Sequence, residues 1–357
     1  MIQGHFQGSN DGPKVVAWEL TRRCPLACRH CRASARNTAY EGELTTEECM
    51  RVVDSLVALG SKPLLILTGG EPLSRADVWG IAKRASGGGL RVVMAPCGIS
   101  VDDEAVRRMR ESGITAISLS VDGATADQHD AFRGVPGSFA ANLKAMDCAR
   151  RVGLPFQINA LVSRATLNDL PAIRELALRE GASQLDLFFL VPVGRGAGIR
   201  EFALAAGDCE SALEWAVRMN ARGPLRIKTT CAPQVIRVRH RLNMPVNGAR
   251  PGAPTGGCMA GRGFVFISHI GILQPCGFCD VPAGDLRKAG LDFNTAYKAS
   301  DVFRKLQDVD GYGGKCGVCE YRAVCGGCRA RALAATGDYL AGEPTCSHQP
   351  SDESRMT

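Results

Sequence analysis

No stretch of this 357-residue chain reaches 18 apolar residues, which excludes a membrane-spanning helix. The opening MIQGHFQGSNDGPK has no apolar core of signal-peptide length, so a cytoplasmic location is expected rather than export. Charge of one sign is also in short supply. The 43 Lys and Arg against 36 Asp and Glu leave a net +7, spread along the chain. That excess favours an anionic ligand, but it is too small and too dispersed to imply nucleic-acid binding. Low-complexity character is missing as well. With 45% hydrophobic and 22% charged residues, the chain is neither disordered nor collagen-like. A chain of this length buries roughly three quarters of the surface its unfolded form exposes, and length alone suggests about two domains.

What the chain has in excess is cysteine. There are 16, and they are clustered. Cys24, Cys28 and Cys31 fall within eight residues, and eight more lie from Cys258 to Cys346. A reducing compartment disfavours disulfides, so such clusters point to metal. The other five, Cys49, Cys97, Cys148, Cys209 and Cys231, are scattered and read as small buried hydrophobes, with Cys231 also open to a role discussed below.

Between residues 15 and 230, short apolar runs alternate with helical patterns. The strand candidates are Val15–Glu19, Leu64–Thr68, Leu90–Ala95, Ala116–Ser120, Phe156–Val162 and Leu185–Val191, each bounded by Gly, Pro or Ser as buried parallel strands are. Thr45 and Glu48 form a capping box ahead of Met50, Val53 and Val57. Ser100 is expected to cap a helix with Val101, Ala105 and Met109 on one face. Ser138 opens a helix to Val152, and Asp169 one to Glu180. This alternation means a parallel sheet with right-handed crossovers. Six units are fewer than the eight of a closed barrel, so the α/β fold expected is a partial, open (β/α)6 barrel. A further strand–helix piece runs from Leu225 through Arg241. NMPVNGARPGAPTGG then reads as a linker. A boundary near 245 separates a barrel with its N-terminal arm and bridging region (1–245) from a small Cys-rich domain (246–357). The second part has little core of its own and would need metal to hold it.

The first strand, VVAWEL, runs directly into TRRCPLACRHC, a C-x-x-x-C-x-x-C pattern on the loop at a strand's C-terminal end, where α/β barrels place active sites. Three thiolates bind three irons of a [4Fe–4S] cube and leave the fourth open. A zinc site would want a fourth ligand, for which His30 is at hand. This spacing on this loop resembles the radical S-adenosylmethionine (SAM) enzymes. The resemblance implies that SAM chelates the open iron through its amino and carboxylate groups. Reductive cleavage then gives a 5′-deoxyadenosyl radical that abstracts hydrogen from an unreactive carbon. The second strand adds LLILTGGEP, in which Gly69, Gly70 and Glu71 resemble the family's SAM-contacting GGE element. Glycines admit close backbone approach, and Glu71 can accept from an ammonium. Ser120 and Asp122 in SLSVDG, and Asn159 on the fifth strand, are implied SAM contacts. One departure is His30, where the family usually has an aromatic residue before the third cysteine.

The later cysteines run Cys258, Cys276, Cys316-x-x-Cys319, Cys325-x-x-Cys328 and Cys346, and resemble the SPASM extension of a subset of radical SAM enzymes. By that resemblance Cys316, Cys319, Cys325 and Cys346 hold one auxiliary cluster, and Cys258, Cys276 and Cys328 a second, for three [4Fe–4S] clusters in all. Cys279 and Cys231 are both candidates for the missing fourth ligand. The closing C-x-x-C departs from the commoner C-x-x-x-C, and paired C-x-x-C motifs also suit a zinc ribbon. Auxiliary clusters move electrons, at potentials set by hydrogen bonding and burial, or touch substrate through an open iron.

Further stretches narrow the resemblance. AWELTRRC, HCRA, HDAFRGVPGSF, FFLVPVGRG, KTTCAP, FISHIG and CGGCRARALAATGDYLAGEP, spread over residues 13 to 350, resemble the heme-synthase branch of the family. The resemblance implies anaerobic oxidative decarboxylation of two propionates of iron-coproporphyrin III to vinyls, giving heme b. It also implies a flavodoxin or ferredoxin donor, an electron acceptor, and a monomer. Four substrate carboxylates suit arginine forks. Arg22, Arg23, Arg29 and Arg32 flank the first cysteines, and Arg133 and Arg195 are the expected propionate partners. His129 and His269 are candidate heme-iron ligands. The alternatives are another tetrapyrrole reaction of the subfamily (siroheme side-chain removal or acrylate formation on the denitrification heme), a peptide or protein maturase, and an electron carrier. No 80-residue peptide-recognition segment precedes the core, which disfavours a maturase, and GGE with an open iron disfavours a carrier.

Overall fold

The computed structural model describes residues 12–244 and 257–350. The proposed boundary near 245 and most of the expected linker lie outside the described residues. The chain alternates β1 (Val15–Glu19), α1 (Thr46–Val57), β2 (Leu64–Thr68), α2 (Val78–Gly87), β3 (Val92–Met94), α3 (Asp103–Glu111) and β4 (Ile114–Ser120). It continues with α4 (Ala126–Arg133), α5 (Ser138–Arg151), β5 (Phe156–Val162), α6 (Leu170–Arg179), β6 (Gln184–Phe189), α7 (Ala206–Arg222), β7 (Arg226–Thr230) and α8 (Val235–Arg241). Beyond the undescribed stretch come β8 (Phe264–Ile267), β9 (Ile272–Gln274), β10 (Gly284–Asp285), α9 (Phe293–Lys298), α10 (Asp301–Gln307), α11 (Gly314–Gly317) and α12 (Arg329–Thr336).

One ten-stranded sheet, in the order β10-β9-β8-β1-β2-β3-β4-β5-β6-β7, organises the molecule. β1 to β7 are parallel in chain order, so all their C-terminal ends face the same way. β8 adds in parallel on the other side of β1, pairing Val15 with Phe264 and Trp18 with Ile267, and β9 and β10 follow antiparallel. The polar connections after β1 to β8 therefore gather at one rim. β1 lies inside the sheet, which is why Val16, Trp18 and Glu19 are all fully buried. The helices cover the outer face, burying Val52, Val53 and Leu56 of α1, Ile81 of α2 and Met146 of α5. The sheet does not close: β7 and β10 are separate edges. Among the described residues no helix is long and apolar enough to cross a membrane.

The α1 capping box is present: Thr45 Oγ1 accepts from Glu48 N at 3.2 Å, and Glu48 Oε2 from Thr45 N at 2.8 Å. Ser100 does not cap α3. Asp102 does, its carboxylate accepting from Ala105 N at 2.8 Å, and Val101 is buried ahead of the helix. A carboxylate at a helix N-terminus also gains from the dipole, which a hydroxyl two residues earlier does not. β3 is shorter than Leu90–Ala95 because Leu90 N turns back to Ala85 O.

Candidate functional site

The loop after β1 carries the three cysteines. Cys24 and Cys28 are buried with Leu26, Ala33 and Ala35, and Cys31 packs against them half-buried. Side chains from distant loops hold this loop through its carbonyls. Arg195 donates from Nε to Cys28 O at 2.8 Å and from Nη1 to Ala35 O at 2.7 Å, while its amide donates to Cys31 O at 3.0 Å. Arg133, at the end of α4, donates from Nη1 to Asp122 Oδ2 at 2.8 Å and from Nη2 to Cys28 Sγ at 3.2 Å. Burial pushes the Cys28 thiol up, and Arg133 opposes that shift. Both expected propionate partners thus donate to the cysteine loop, and Arg133 donates to Asp122 as well. Arg133 Nε and Arg195 Nη2 are buried and, among the described residues, face no protein acceptor.

The GGE element packs directly on this loop. A Cβ at Gly70 would stand 2.4 Å from Arg22 O, and one at Gly69 2.4 Å from Thr21 O. Only glycine permits the bonds made there, Gly70 N to Thr21 O at 2.7 Å and Glu71 N to Arg23 O at 2.8 Å. Glu71 is fully buried and its carboxylate accepts from Leu73 N (2.9 Å) and Cys97 N (2.6 Å), with burial raising its pKa. Cys97 is therefore no scattered core residue. It lies against the triad, and its hydrogen bond to Cys24 pulls the Cys24 thiol down. Its position just after β3, on the shared rim, was the available signal.

Asp122 is buried among Arg133, Leu161 N (2.9 Å) and His30 (Nε2 at 3.5 Å). Burial opposes its ionisation, but His30 and Arg133 hold its carboxyl below the usual range. His129 is fully buried and its Nδ1 accepts from Asp122 N at 3.1 Å; burial pushes it down to about 4. His269 Nδ1 is 2.9 Å from Glu19 Oε1, in a network with Arg22 and Arg32. Burial resists the charge on Glu19, yet Arg32, His269 and Arg22 hold its carboxyl down at about 2. Arg32 also stacks on Phe266 at 4.5 Å and reaches Gly277 O at 3.5 Å, tying the triad loop to the turn between Cys276 and Cys279.

On the face of β4 to β7 away from the helices, register aligns Ser120 with Asn159, Asp186 and Lys228, and Ser118 with Gln157, Gln184 and Arg226. Asp186 accepts from Lys228 Nζ at 3.0 Å and Thr230 Oγ1 at 2.8 Å. Periodicity alone does not reveal these rows, because cross-strand register is needed to assemble them.

The C-terminal cysteines form two groups. Cys316, Cys319, Cys325 and Cys346 line one cavity with about 410 Å³ of empty space, open to solvent. Cys258, Cys276 and Cys328 gather with Cys231 and Cys279, of which Cys328 and Cys279 are buried and the others half-buried, so both candidate fourth ligands stand beside the three. Cys231 directly follows β7, in a left-handed conformation (φ 61°), and hydrogen-bonds Cys328, pulling that thiol down to about 7. The donor chemistry fits thiolate ligation. Cys316 Sγ accepts from Glu343 N at 3.3 Å, and Cys319 Sγ from Tyr321 N at 3.4 Å. Cys325 accepts from Gly327 N, Cys346 from His348 N, Cys276 from Phe278 N, Cys258 from Ala260 and Arg329 N, and Cys328 from Arg331 N. Cys24 accepts likewise from Leu26 N at 3.4 Å. Amides aimed at sulfur stabilise anionic, metal-bound sulfur. By contrast Cys49 donates to Leu44 O, and burial pushes its thiol up to about 12; Cys148 and Cys209 are also buried in the main core, Cys209 beside Arg331 and Thr345. Cys319, Glu320 and His348 also bring ligand atoms within 4.8 Å of one another, a set that could take a zinc ion.

An open parallel α/β barrel with three thiols on its first rim loop and two more cysteine groups beside that rim defines an enzyme of metal–sulfur radical chemistry. The chain belongs to the radical SAM superfamily, whose family model matches residues 18–177. It is 42% identical over 346 residues to the AdoMet-dependent heme synthase of Methanosarcina barkeri, covering 95% of this chain and 98% of that one. It is 41% identical over 343 residues to the AdoMet-dependent heme synthase of Nitratidesulfovibrio vulgaris, covering 94% and 93%. The fold is similar to that of Streptococcus suis SuiB bound to precursor peptide SuiA, at TM-score 0.75 and 14% identity over 95% of this chain and 76% of that one. The family implies a [4Fe–4S] cluster and SAM.

Proposed function

We propose that this chain is an AdoMet-dependent heme synthase, which converts two propionates of iron-coproporphyrin III to vinyls and yields heme b. The observation that carries this reading is identity above 40% along nearly the whole length of two heme synthases. Each conversion removes one hydrogen atom from the propionate carbon next to the ring, releases carbon dioxide and leaves one electron for an acceptor. The cluster and SAM, when bound, supply the radical that takes the hydrogen.

The chain's residues take these roles. Cys24, Cys28 and Cys31 hold the first cluster. Gly69, Gly70 and Glu71 shape the SAM pocket, and Ser120, Asp122 and Asn159 stand along its β4–β5 side. Arg133 and Arg195 brace the cysteine loop. Lys228, half-exposed beside Asp186, offers a cation to a substrate carboxylate on the polar inner face. Cys316, Cys319, Cys325 and Cys346 hold one auxiliary cluster. Cys258, Cys276 and Cys328 hold the other, with Cys231 or Cys279 completing it. A flavodoxin or ferredoxin serves as electron donor to a cytoplasmic monomer.

The test is turnover. Anaerobically reconstituted protein, SAM and a reductant are incubated with iron-coproporphyrin III, and products are read by mass. Loss of two carbon dioxides with 5′-deoxyadenosine formation is expected. An unchanged porphyrin, with turnover of a candidate peptide instead, would reverse the assignment in favour of a maturase.

A further inference from the structure

The two C-terminal cysteine groups are joined by one tight turn, Cys325-Gly326-Gly327-Cys328. Both glycines are left-handed, at φ 72° and 59°. That geometry lets Cys325 join the group lining the cavity while Cys328, three residues on, joins the other group. A Cβ at Gly327 would stand 2.5 Å from Arg329 Nη2, 2.8 Å from Cys316 Sγ and 3.0 Å from Glu343 Cβ. The guanidinium of Arg329 and the sulfur of Cys316 therefore converge on one point of the turn.

Arg329 is fully buried, which for an arginine needs a reason. Its Nη1 donates to Ala341 O at 2.8 Å and Tyr339 O at 3.1 Å, its Nε donates to Gly327 O at 3.3 Å, and its plane lies 4.6 Å over the ring of Tyr312. These contacts orient the fork. Nη2 remains, buried and, among the described residues, without a protein acceptor, on the side of Cys316. The backbone amide of the same residue donates to Cys258 Sγ in the other group. Glu343 spans the same gap: its amide donates to Cys316 Sγ at 3.3 Å, and its carboxylate accepts from Cys328 N at 2.9 Å and from Arg331.

We propose that Arg329 is a positioning residue for electron acceptance: it holds a fixed positive charge between the two auxiliary clusters, with Nη2 donating to the cluster that Cys316 binds. The inference rests on the reading that both cysteine groups hold iron–sulfur clusters. Its physical basis is simple. A cluster ligated by thiolates is anionic and becomes more so on reduction. A buried cation and a donor aimed at its sulfur favour the reduced form, and low dielectric magnifies the effect. A guanidinium serves because it does not lose its proton and its planar fork can be locked on one side while it donates on the other. An arginine that only filled space here would leave a buried donor unmade, which is costly in a desolvated site.

The experiment compares holoprotein of the wild type, Arg329→Lys and Arg329→Met, purified anaerobically. Iron is counted first, and the cluster signals are then followed by electron paramagnetic resonance through a redox titration. The expected result is a shift of an auxiliary midpoint to more negative potential in Arg329→Met. Arg329→Lys should shift less, since it keeps the charge and loses the fork. The first cluster's midpoint should stay in place. If Arg329→Met sheds iron, Arg329→Lys alone decides, because it retains charge and most of the volume. Auxiliary midpoints unchanged in an iron-replete variant overturn the inference and leave the cluster reading standing. Wild-type protein carrying iron for fewer than three clusters overturns that reading and the inference with it.

Discussion

The triad loop and the C-terminal cysteine groups hold sulfur in different ways. Around the triad, long side chains reach in from other strands: Arg133 to Cys28 Sγ, Arg195 to the carbonyls of Cys28 and Ala35. In the C-terminal groups nearly every sulfur meets a backbone amide of its own segment, usually two residues downstream, as Tyr321 N does for Cys319. The first arrangement depends on the barrel being folded and offers three thiols. The second is local and offers at least seven. A three-thiol loop braced from outside suits a cluster with one corner left for a ligand. Amide-lined cages suit clusters that keep their ligands and pass electrons.

The sharpest way to break that comparison is to remove sulfur from each side. Replacing Cys24, Cys28 or Cys31 by Ala should abolish SAM cleavage, measured as 5′-deoxyadenosine under dithionite. Retained cleavage would remove these residues from the mechanism. Replacing Cys316 by Ala should leave SAM cleavage in place and abolish vinyl formation. If both activities persist, the C-terminal groups do not lie on the electron path. Folding has to be checked first by circular dichroism, because a segment held by metal loses structure with its cluster.

Much of this division was legible in the chain. The parallel strands β1 to β6 and the α1 cap follow from local signals: Val, Ile and Leu runs of strand length, and Thr45 three residues ahead of Glu48. The triad was legible because its spacing is local too. What stayed hidden depends on contacts between distant segments. Nothing near Phe264 announces that β8 pairs with β1 and carries the C-terminal part into the barrel's own sheet. Cys97 looked like a core residue until the rim placed it beside Glu71 and Cys24. Arg133 and Arg195 were expected to reach for substrate propionates, because sequence shows charge and not direction. Their geometry turns them inward.

Arg133 sharpens the comparison at the next level. It forms a buried ion pair with Asp122, and breaking such a pair from one side leaves a charge without compensation. Arg133→Met should cost about 3–5 kcal/mol, read as a lower anaerobic melting temperature, and should alter the resonance signal of the first cluster while leaving those of the others. Arg133→Lys should recover part of the stability but not the signal, since an ammonium cannot fork to Asp122 Oδ2 and Cys28 Sγ together. An unaltered first-cluster signal in both variants would remove Arg133 from the sulfur environment.

Acid should weaken the triad side specifically, by a smaller amount. His129 is buried behind Asp122, and burial pushes its pKa from 6.5 down to about 4. A folded-state pKa below the unfolded one means that the unfolded chain binds the proton first. Stability from this group is therefore complete above the unfolded value of 6.5 and falls as pH drops from there towards 4. At pH 5 the loss relative to pH 7 should be about 2 kcal/mol. The buried cations between the C-terminal groups are Arg329 and Arg331, and a guanidinium stays charged through this range. His129→Asn should thus roughly halve the pH dependence of the melting temperature between 7 and 5, since His30, pushed down to about 4 by burial as well, remains, and Arg329→Lys should leave its slope intact. An unchanged slope in His129→Asn would mean that the imidazole is already protonated, or solvated, in the folded protein, and the account of Asp122 as the hub of that region would fall.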